Sequence, residues 1–184
     1  MHKHILEAAA FLKPHFSQQP VAGIILGTGL GGLVNEIEVE KAIPYNKIPH
    51  FPVSTVQGHS GQLIIGKLGK KSVLAMQGRF HFYEGYDMQQ VVFPVRVMKA
   101  LGIQHVLLSN ASGGVNAAFE IGEMMIITDH INLFPANPLI GPNDELLGSR
   151  FPDMSEPYSL ELVSRAEEIA KKNNIRIAKG VYAG

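Results

Sequence analysis

Two short apolar runs in this chain each end in a loop of small residues, and this feature constrains the fold most. Residues 21–26 lead into the glycine-rich segment 27–32, and residues 105–109 lead into the segment 110–114. A short apolar run closed by glycine is typical of a strand buried on both faces of a parallel sheet. The feature predicts an α/β protein with functional loops at its strand ends.

The rest of the chain completes an alternation of strands and helices. Residues 62–68 and 72–77 predict a β-hairpin, and Asp87 is expected to cap a helix that runs to Leu101. We expect one domain over residues 1–184, with a central mixed sheet flanked by helices. The other expected segments are helices at 3–17 and 158–173, strands at 124–131 and 176–182, and long loops at 43–61 and 132–157.

The charges of the chain balance, with 16 basic and 16 acidic residues. Bulk binding of nucleic acid or anionic membrane needs a basic excess, so a local cluster must hold any anion. The sequence has no Cys, which excludes a disulfide framework and thiolate chemistry. The apolar stretch 5–12 contains Glu7 and is too short to span a bilayer. We expect a soluble, cytoplasmic protein without nucleic-acid or membrane partners.

The segment 27–32 has the glycine spacing of a dinucleotide-binding loop. Such a site also needs a full crossover helix and a second strand that ends in an acidic residue. Only the short stretch 33–39 and a proline-rich loop follow here, so NAD binding is not predicted. Two interpretations stay open. Backbone N–H groups and the Thr28 hydroxyl donate to a phosphate, or the glycines only serve packing in a tight turn.

The segment 78–86 places a cation, an imidazole, a phenol and a carboxylate between two glycines. In an extended loop, Arg79, His81 and Tyr83 alternate with two phenylalanines and therefore share one face. The guanidinium offers a planar set of donors suited to phosphate. The alternative interpretation is an edge strand with a solvated polar face.

The histidines do not predict a metal site. His81 and Glu84 lie three residues apart in a loop, and no ligand pattern joins them to His59 or His130. Arg79 beside them would also repel a cation.

Two further loops have alternative interpretations. His59 lies in a polar loop, where it either lines a site or is simply solvated. Residues 110–114 follow a strand, where their N–H groups either face a ligand or only shape a turn. With the segments 27–32 and 78–86, the chain supplies anion-compatible donors at three strand ends, which together favour an anion site.

The chain contains, in this order, GTGLGGL at 27–33, GHSG at 58–61, GRFHFYEG at 78–85, NASGG at 110–114, DHINL at 129–133 and NPLIGPNDE at 137–145. Together these motifs resemble those of the trimeric purine nucleoside phosphorylases. The likeness is collinear over nearly all of the chain, and it implies a phosphorylase/hydrolase-like α/β fold. The related methylthioadenosine phosphorylases lack the pattern Arg-Phe-His-x-Tyr-Glu-Gly seen here at 79–85.

The resemblance implies four phosphate-binding residues. Arg79 and His81 match side-chain ligands of phosphate in that family, and the backbone N–H of Ala111 matches another donor. Thr28 stands where the family usually has a serine, and it keeps the hydroxyl.

The resemblance also implies residues for the sugar and for catalysis. Tyr83 matches a residue that contacts the ribose, and Phe151 matches an aromatic residue that covers the sugar of a neighbouring subunit's site. His59 and Glu84 match residues at the phosphate end, and with His81 they form the expected catalytic set.

The implied reaction is phosphorolysis of purine (deoxy)ribonucleosides to free base and (deoxy)ribose 1-phosphate, in purine salvage, by a cytoplasmic homotrimer. Phosphate is the co-substrate, and no metal or other cofactor is expected. The alternatives are a non-catalytic phosphate- or nucleoside-binding module and a methylthioadenosine phosphorylase. Because the family's chain normally continues beyond residue 184, we expect a C-terminally truncated domain that binds phosphate but turns nucleosides over weakly or not at all.

Overall fold

The computed structural model describes residues 1–27, 31–53 and 61–184, and the chain divides into two compact units, Met1–Ala111 and Ser112–Gly184. The first unit contains helices α1 (His2–Leu12) and α2 (Met88–Ala100), and strands β1 (Ala22–Ile25), β2 (Ile37–Pro44), β3 (Gln62–Leu68), β4 (Lys71–Gln77) and β5 (His105–Leu108). The second unit contains strands β6 (Met124–Ile131) and β7 (Ile177–Ala183) and helix α3 (Leu160–Lys172).

The five strands of the first unit form one mixed sheet in the order β2-β3-β4-β1-β5. Strand β1 is parallel to both β4 and β5, whereas β2, β3 and β4 pair antiparallel. The predicted hairpin and the predicted mixed α/β class are therefore confirmed. Since β4, β1 and β5 run in the same direction, the loops that follow them lie at one edge of the sheet.

The sequence does not predict strand β2. Its last two residues fall in the long loop expected at 43–61, and its first three fall in the short stretch 33–39. Apolar and charged residues alternate at its start, but the register shifts between Val39 and Lys41. A bulge of this kind breaks the two-residue period. Only Ile37 and Ile43 are buried in this edge strand, so it lacks the apolar run by which the other strands were recognised.

The expectation that the run 105–109 is a buried strand was wrong. Strand β5 lies at the edge of the sheet with β1 as its only partner strand among the described residues. Leu107 and Leu108 keep 50% and 64% of their surface exposed. An apolar run indicates a strand here, but it does not establish that both faces are covered.

Helix α2 begins directly after the segment 78–86. The Asp87 carboxylate accepts the Gln90 N–H at 2.7 Å, and the Gln90 side chain accepts the Asp87 N–H at 2.9 Å. This reciprocal capping box fixes the first turn of the helix, as the sequence predicts for Asp87. Its far end is closed by Gly102, which has φ +81°.

The second unit pairs β6 and β7 in parallel, and the Ser159 hydroxyl caps α3. Residues 132–157 contain no helix or strand, as expected. The one-domain assignment of residues 1–184, with its incomplete C-terminal end, stays a prediction. None of the helices within the described parts of the chain has both the length and the apolar character that crossing a membrane requires.

Candidate functional site

Ser109, directly after β5, joins the loops that follow three strands. Its hydroxyl oxygen accepts the Gly27 N–H at 3.1 Å, at the end of the β1 segment. Its carbonyl accepts an Nη1–H of Arg79 at 2.8 Å, from the loop after β4. The segments that follow β1, β4 and β5 therefore meet at one edge of the sheet within the first unit.

Gly27 lies against the backbone of the β5 loop. A Cβ added at this position would stand 2.4 Å from the Ser109 carbonyl oxygen and 2.8 Å from the Asn110 Cα. Atoms of the backbone cannot give way as a flexible side chain can, so this approach requires glycine. The glycine pattern that resembled a dinucleotide site thus has a concrete packing cause at its first position.

Arg79, His81 and Glu84 form a chain of hydrogen bonds. Arg79 Nε donates to His81 Nε2 at 2.8 Å, and His81 Nδ1 contacts a carboxylate oxygen of Glu84. Because Nε2 accepts, the neutral imidazole carries its proton on Nδ1 and donates it to the carboxylate. The side chains of His81 and Glu84 are only 21% and 12% exposed.

The Arg79 guanidinium keeps donors for a ligand. It has five N–H groups, of which one donates to His81 and one to Ser109. Three have no hydrogen-bond partner within the part of the chain that the structure describes. Both of these acceptors are uncharged, so they do not neutralise the positive charge of the guanidinium. That charge is available to attract an anion.

The segment 78–86 turns where the sequence predicted a continued extension. A 3₁₀ turn at Phe82–Glu84 ends at Gly85, which has φ +94°. The turn brings Glu84 back to His81, and it stacks the Tyr83 ring on the imidazole with centroids 4.7 Å apart. Tyr83 therefore lies beside His81, as predicted, but the 3₁₀ turn places it there rather than the alternation of an extended chain. The Tyr83 ring is 80% exposed.

The remaining predicted residues are distributed as follows. Ala111 is exposed two residues after Ser109, and its carbonyl accepts the Asn110 side-chain amide at 3.3 Å. Phe151 is 85% exposed in the long loop of the second unit. Thr28 and His59 lie outside the described residues. The ligand roles of all these residues stay predictions.

Two residues of the site region were missed from the sequence. Ser109 ends a predicted strand, and no local signal indicates its bonds to Gly27 and Arg79, which lie 82 and 30 residues away in sequence. Tyr45 lies in the loop expected at 43–61, yet it is buried, and its hydroxyl donates to the Gly78 carbonyl 33 residues away in sequence. No group of three or more His, Asp or Glu side chains among residues 1–27, 31–53 and 61–184 could hold a metal ion.

Comparison with known proteins decides the family. The sequence model of the phosphorylase superfamily matches residues 21–184. The chain belongs to the phosphorylase superfamily. It is 58% identical to purine nucleoside phosphorylase 1 of Bacillus subtilis over 182 residues, covering 99% of this chain and 67% of the relative. It is 48% identical to the rat purine nucleoside phosphorylase, covering 86% and 56%. The predicted resemblance to purine nucleoside phosphorylases is confirmed.

Solved structures of this superfamily have the same fold. The crystal structure of the Schistosoma mansoni purine nucleoside phosphorylase with acetate superposes with a TM-score of 0.92 at 42% identity, covering 98% of this chain and 68% of that one. A purine nucleoside phosphorylase in complex with ribose-1-phosphate gives 0.92 at 43% identity, with the same coverage. The chain thus spans about two thirds of the bacterial and schistosome relatives, and little more than half of the rat one.

Replacing Glu84 with Gln is expected to let the His81 imidazole populate both of its neutral tautomers. The carboxylate accepts from Nδ1, and a hydrogen bond to a charged acceptor is worth about 1.5–3 kcal/mol, or roughly tenfold or more in tautomer ratio. ¹⁵N chemical shifts of the imidazole measure this directly. The wild-type chain should show a protonated Nδ1 and an unprotonated Nε2, and E84Q should show a mixture. Unchanged shifts in E84Q would mean that Arg79 alone sets the tautomer.

Proposed function

We propose that the chain binds inorganic phosphate at Arg79 and His81 and acts in the phosphorolysis of purine nucleosides. The products are a free purine base and (deoxy)ribose 1-phosphate. The name shared by the relatives supports the reaction, and a relative solved with ribose-1-phosphate supports the sugar product.

One observation carries the proposal. The Arg79 guanidinium is fixed between His81 and the Ser109 carbonyl, at the edge where β4, β1 and β5 end, with further N–H groups to offer. A pre-positioned cation beside strand-end backbone donors is suited to a phosphate dianion, because no reorganisation is needed when the anion arrives.

The proposed chemistry needs no nucleophile from the protein. A phosphate oxygen attacks the anomeric carbon as the glycosidic C–N bond breaks, and the bonding electrons leave with the purine, which takes up a proton. The sugar passes through an oxocarbenium-like state, and the adjacent phosphate charge stabilises it. Arg79, Thr28 and the Ala111 N–H donate to the phosphate and hold it in line. The ring nitrogens of His81 bond Arg79 and Glu84, so His81 lines the phosphate and orients the guanidinium, while Glu84 and His59 complete the phosphate end. No metal or organic cofactor takes part.

Two exposed aromatic rings serve the sugar and the assembly. Tyr83 contacts the ribose, and Phe151 covers the sugar of a neighbouring subunit's site in a cytoplasmic homotrimer that serves purine salvage. The exposure of both rings supports these roles, since both are available to a ligand or a second subunit.

Two measurements on the 184-residue chain test the function. Calorimetry with inorganic phosphate should give saturable binding. A coupled assay with inosine should then release base only when phosphate is present, and more slowly with 5′-methylthioadenosine. Absence of phosphate binding would overturn the proposal. Phosphate binding with no base release would favour a non-catalytic binding module. Faster cleavage of methylthioadenosine than of inosine would favour a methylthioadenosine phosphorylase.

A further inference from the structure

The first relevant feature is a buried tyrosine beneath the phosphate-binding segment. Tyr45 is 3% exposed, and its hydroxyl donates to the Gly78 carbonyl at 2.7 Å. Its own N–H donates to the Gly61 carbonyl at 3.1 Å, and a Cβ at Gly61 would stand 2.3 Å from its ring. Tyr45 therefore fixes the residue that directly precedes Arg79.

A second tyrosine fixes the other end of the same segment. Tyr86 is 8% exposed, and its hydroxyl donates to the Val53 carbonyl at 2.8 Å. The segment 78–86 is thus tied through its first residue to Tyr45 and through its last residue to Val53. Each of these bonds joins parts of the chain 33 residues apart in sequence.

Between these two ties, a third aromatic ring anchors the middle of the segment. Phe80 is 5% exposed, with ring centroids 5.2 Å from Tyr45 and 5.4 Å from Tyr86. Because Phe80 lies between Arg79 and His81 in sequence, its burial fixes the backbone from which both side chains project. Edge-on and tilted ring contacts of this kind restrict ring orientation as well as position.

The chemistry of the tyrosine hydroxyls makes these ties persistent. A buried hydroxyl without a partner is costly, so each stays bonded to its carbonyl. Burial also raises the pKa of Tyr45 far above the ordinary value for a phenol. Its hydroxyl therefore remains protonated, and able to donate, throughout the pH range in which the protein works.

We propose that Tyr45 and Tyr86 are positioning residues that hold Arg79 and His81 in phosphate-binding geometry through the Gly78 and Val53 carbonyls and the Phe80 ring. The inference rests on the proposed function of the Arg79 site. Each hydroxyl donates to a backbone carbonyl. Both act on phosphate through the segment that they fix.

The test compares Y45F and Y86F with the wild-type chain in two measurements. Hydrogen exchange by mass spectrometry reports on residues 79–85, where the Glu84 and Gly85 N–H groups bond the carbonyls of His81 and Phe82. Calorimetry reports phosphate affinity. Each variant loses the hydrogen bond from its tyrosine hydroxyl to the Gly78 or Val53 carbonyl. This loss is expected to raise both the exchange rate of residues 79–85 and the dissociation constant for phosphate about three- to tenfold.

A matched control separates positioning from general loss of stability. Ile64, on β3, is 1% exposed and belongs to the aliphatic core with Ile24 and Ala75. I64V should lower Tm while leaving exchange at 79–85 and phosphate affinity within about twofold. A control that changes both measurements as much as Y45F does would overturn the inference.

The two measurements also separate this inference from the proposed function. Unchanged exchange and unchanged phosphate affinity in both tyrosine variants would overturn the inference while leaving the Arg79 site intact. If the wild-type chain binds no phosphate, the proposed function fails. Exchange then still decides whether the tyrosines hold the segment, since faster exchange confined to 79–85 supports the ties and unchanged exchange refutes them. Y86F keeps the test decisive if Y45F does not fold.

Discussion

Arg79→Ala is expected to weaken phosphate binding about 10- to 150-fold, the largest effect on ligand binding of any change considered. Hydrogen bonds to a charged group contribute roughly 1.5–3 kcal/mol, and 1.4 kcal/mol is a factor of ten. The substitution removes the fixed cation, and it also leaves His81 Nε2 and the Ser109 carbonyl without their donor. Calorimetry with inorganic phosphate measures the loss.

Two further variants sharpen this result. Arg79→Lys keeps the charge but cannot donate to His81 and Ser109 together as a planar fork does, so its affinity should lie between those of the wild type and R79A. Arg165→Ala removes an equal charge from an exposed position on α3 and should change affinity less than twofold. An equal loss in R165A would show that net charge, rather than a built site, attracts the anion.

Local sequence signals predicted the elements that depend on neighbours in sequence. The hairpin of β3 and β4, and the start of α2 at Asp87, follow from turn and cap chemistry within a few residues. The alternation of Arg79 and Phe80 correctly separated a polar residue from a buried one. These predictions succeed because the stabilising contacts are formed within the segment that carries the signal.

Contacts between distant segments account for what was missed. The Gly27 and Arg79 bonds to Ser109 span 82 and 30 residues, and the Tyr45 bond to Gly78 spans 33. No local pattern records such pairs, since each depends on which strands lie side by side. The exposed face of β5 is a similar case, because its position at the sheet edge is a property of the whole sheet.

Gly27→Ala is expected to cause the largest loss of stability. The added Cβ would meet the Ser109 carbonyl oxygen at 2.4 Å and the Asn110 Cα at 2.8 Å, so the ends of β1 and β5 must move apart. Overpacking of this kind costs about 1–3 kcal/mol, and a chain of this size loses roughly 2–4 °C in Tm per kcal/mol. Thermal unfolding followed by circular dichroism measures the shift. Phosphate affinity should fall with it, because Ser109 also holds Arg79.

Another glycine of the segment 27–32 provides the matched control for this prediction. A Cβ at Gly31 would meet no atom of the described residues within 4 Å, and Gly31 lies in a 3₁₀ helix without a positive φ. Gly31→Ala should therefore leave Tm unchanged or raise it slightly, since alanine lowers the entropy of the unfolded chain. Equal losses in G27A and G31A would mean that the loop rejects any side chain. A loss confined to G27A would locate the requirement at the approach of β1 to β5, where glycine brings the Ser109 carbonyl within reach of Arg79.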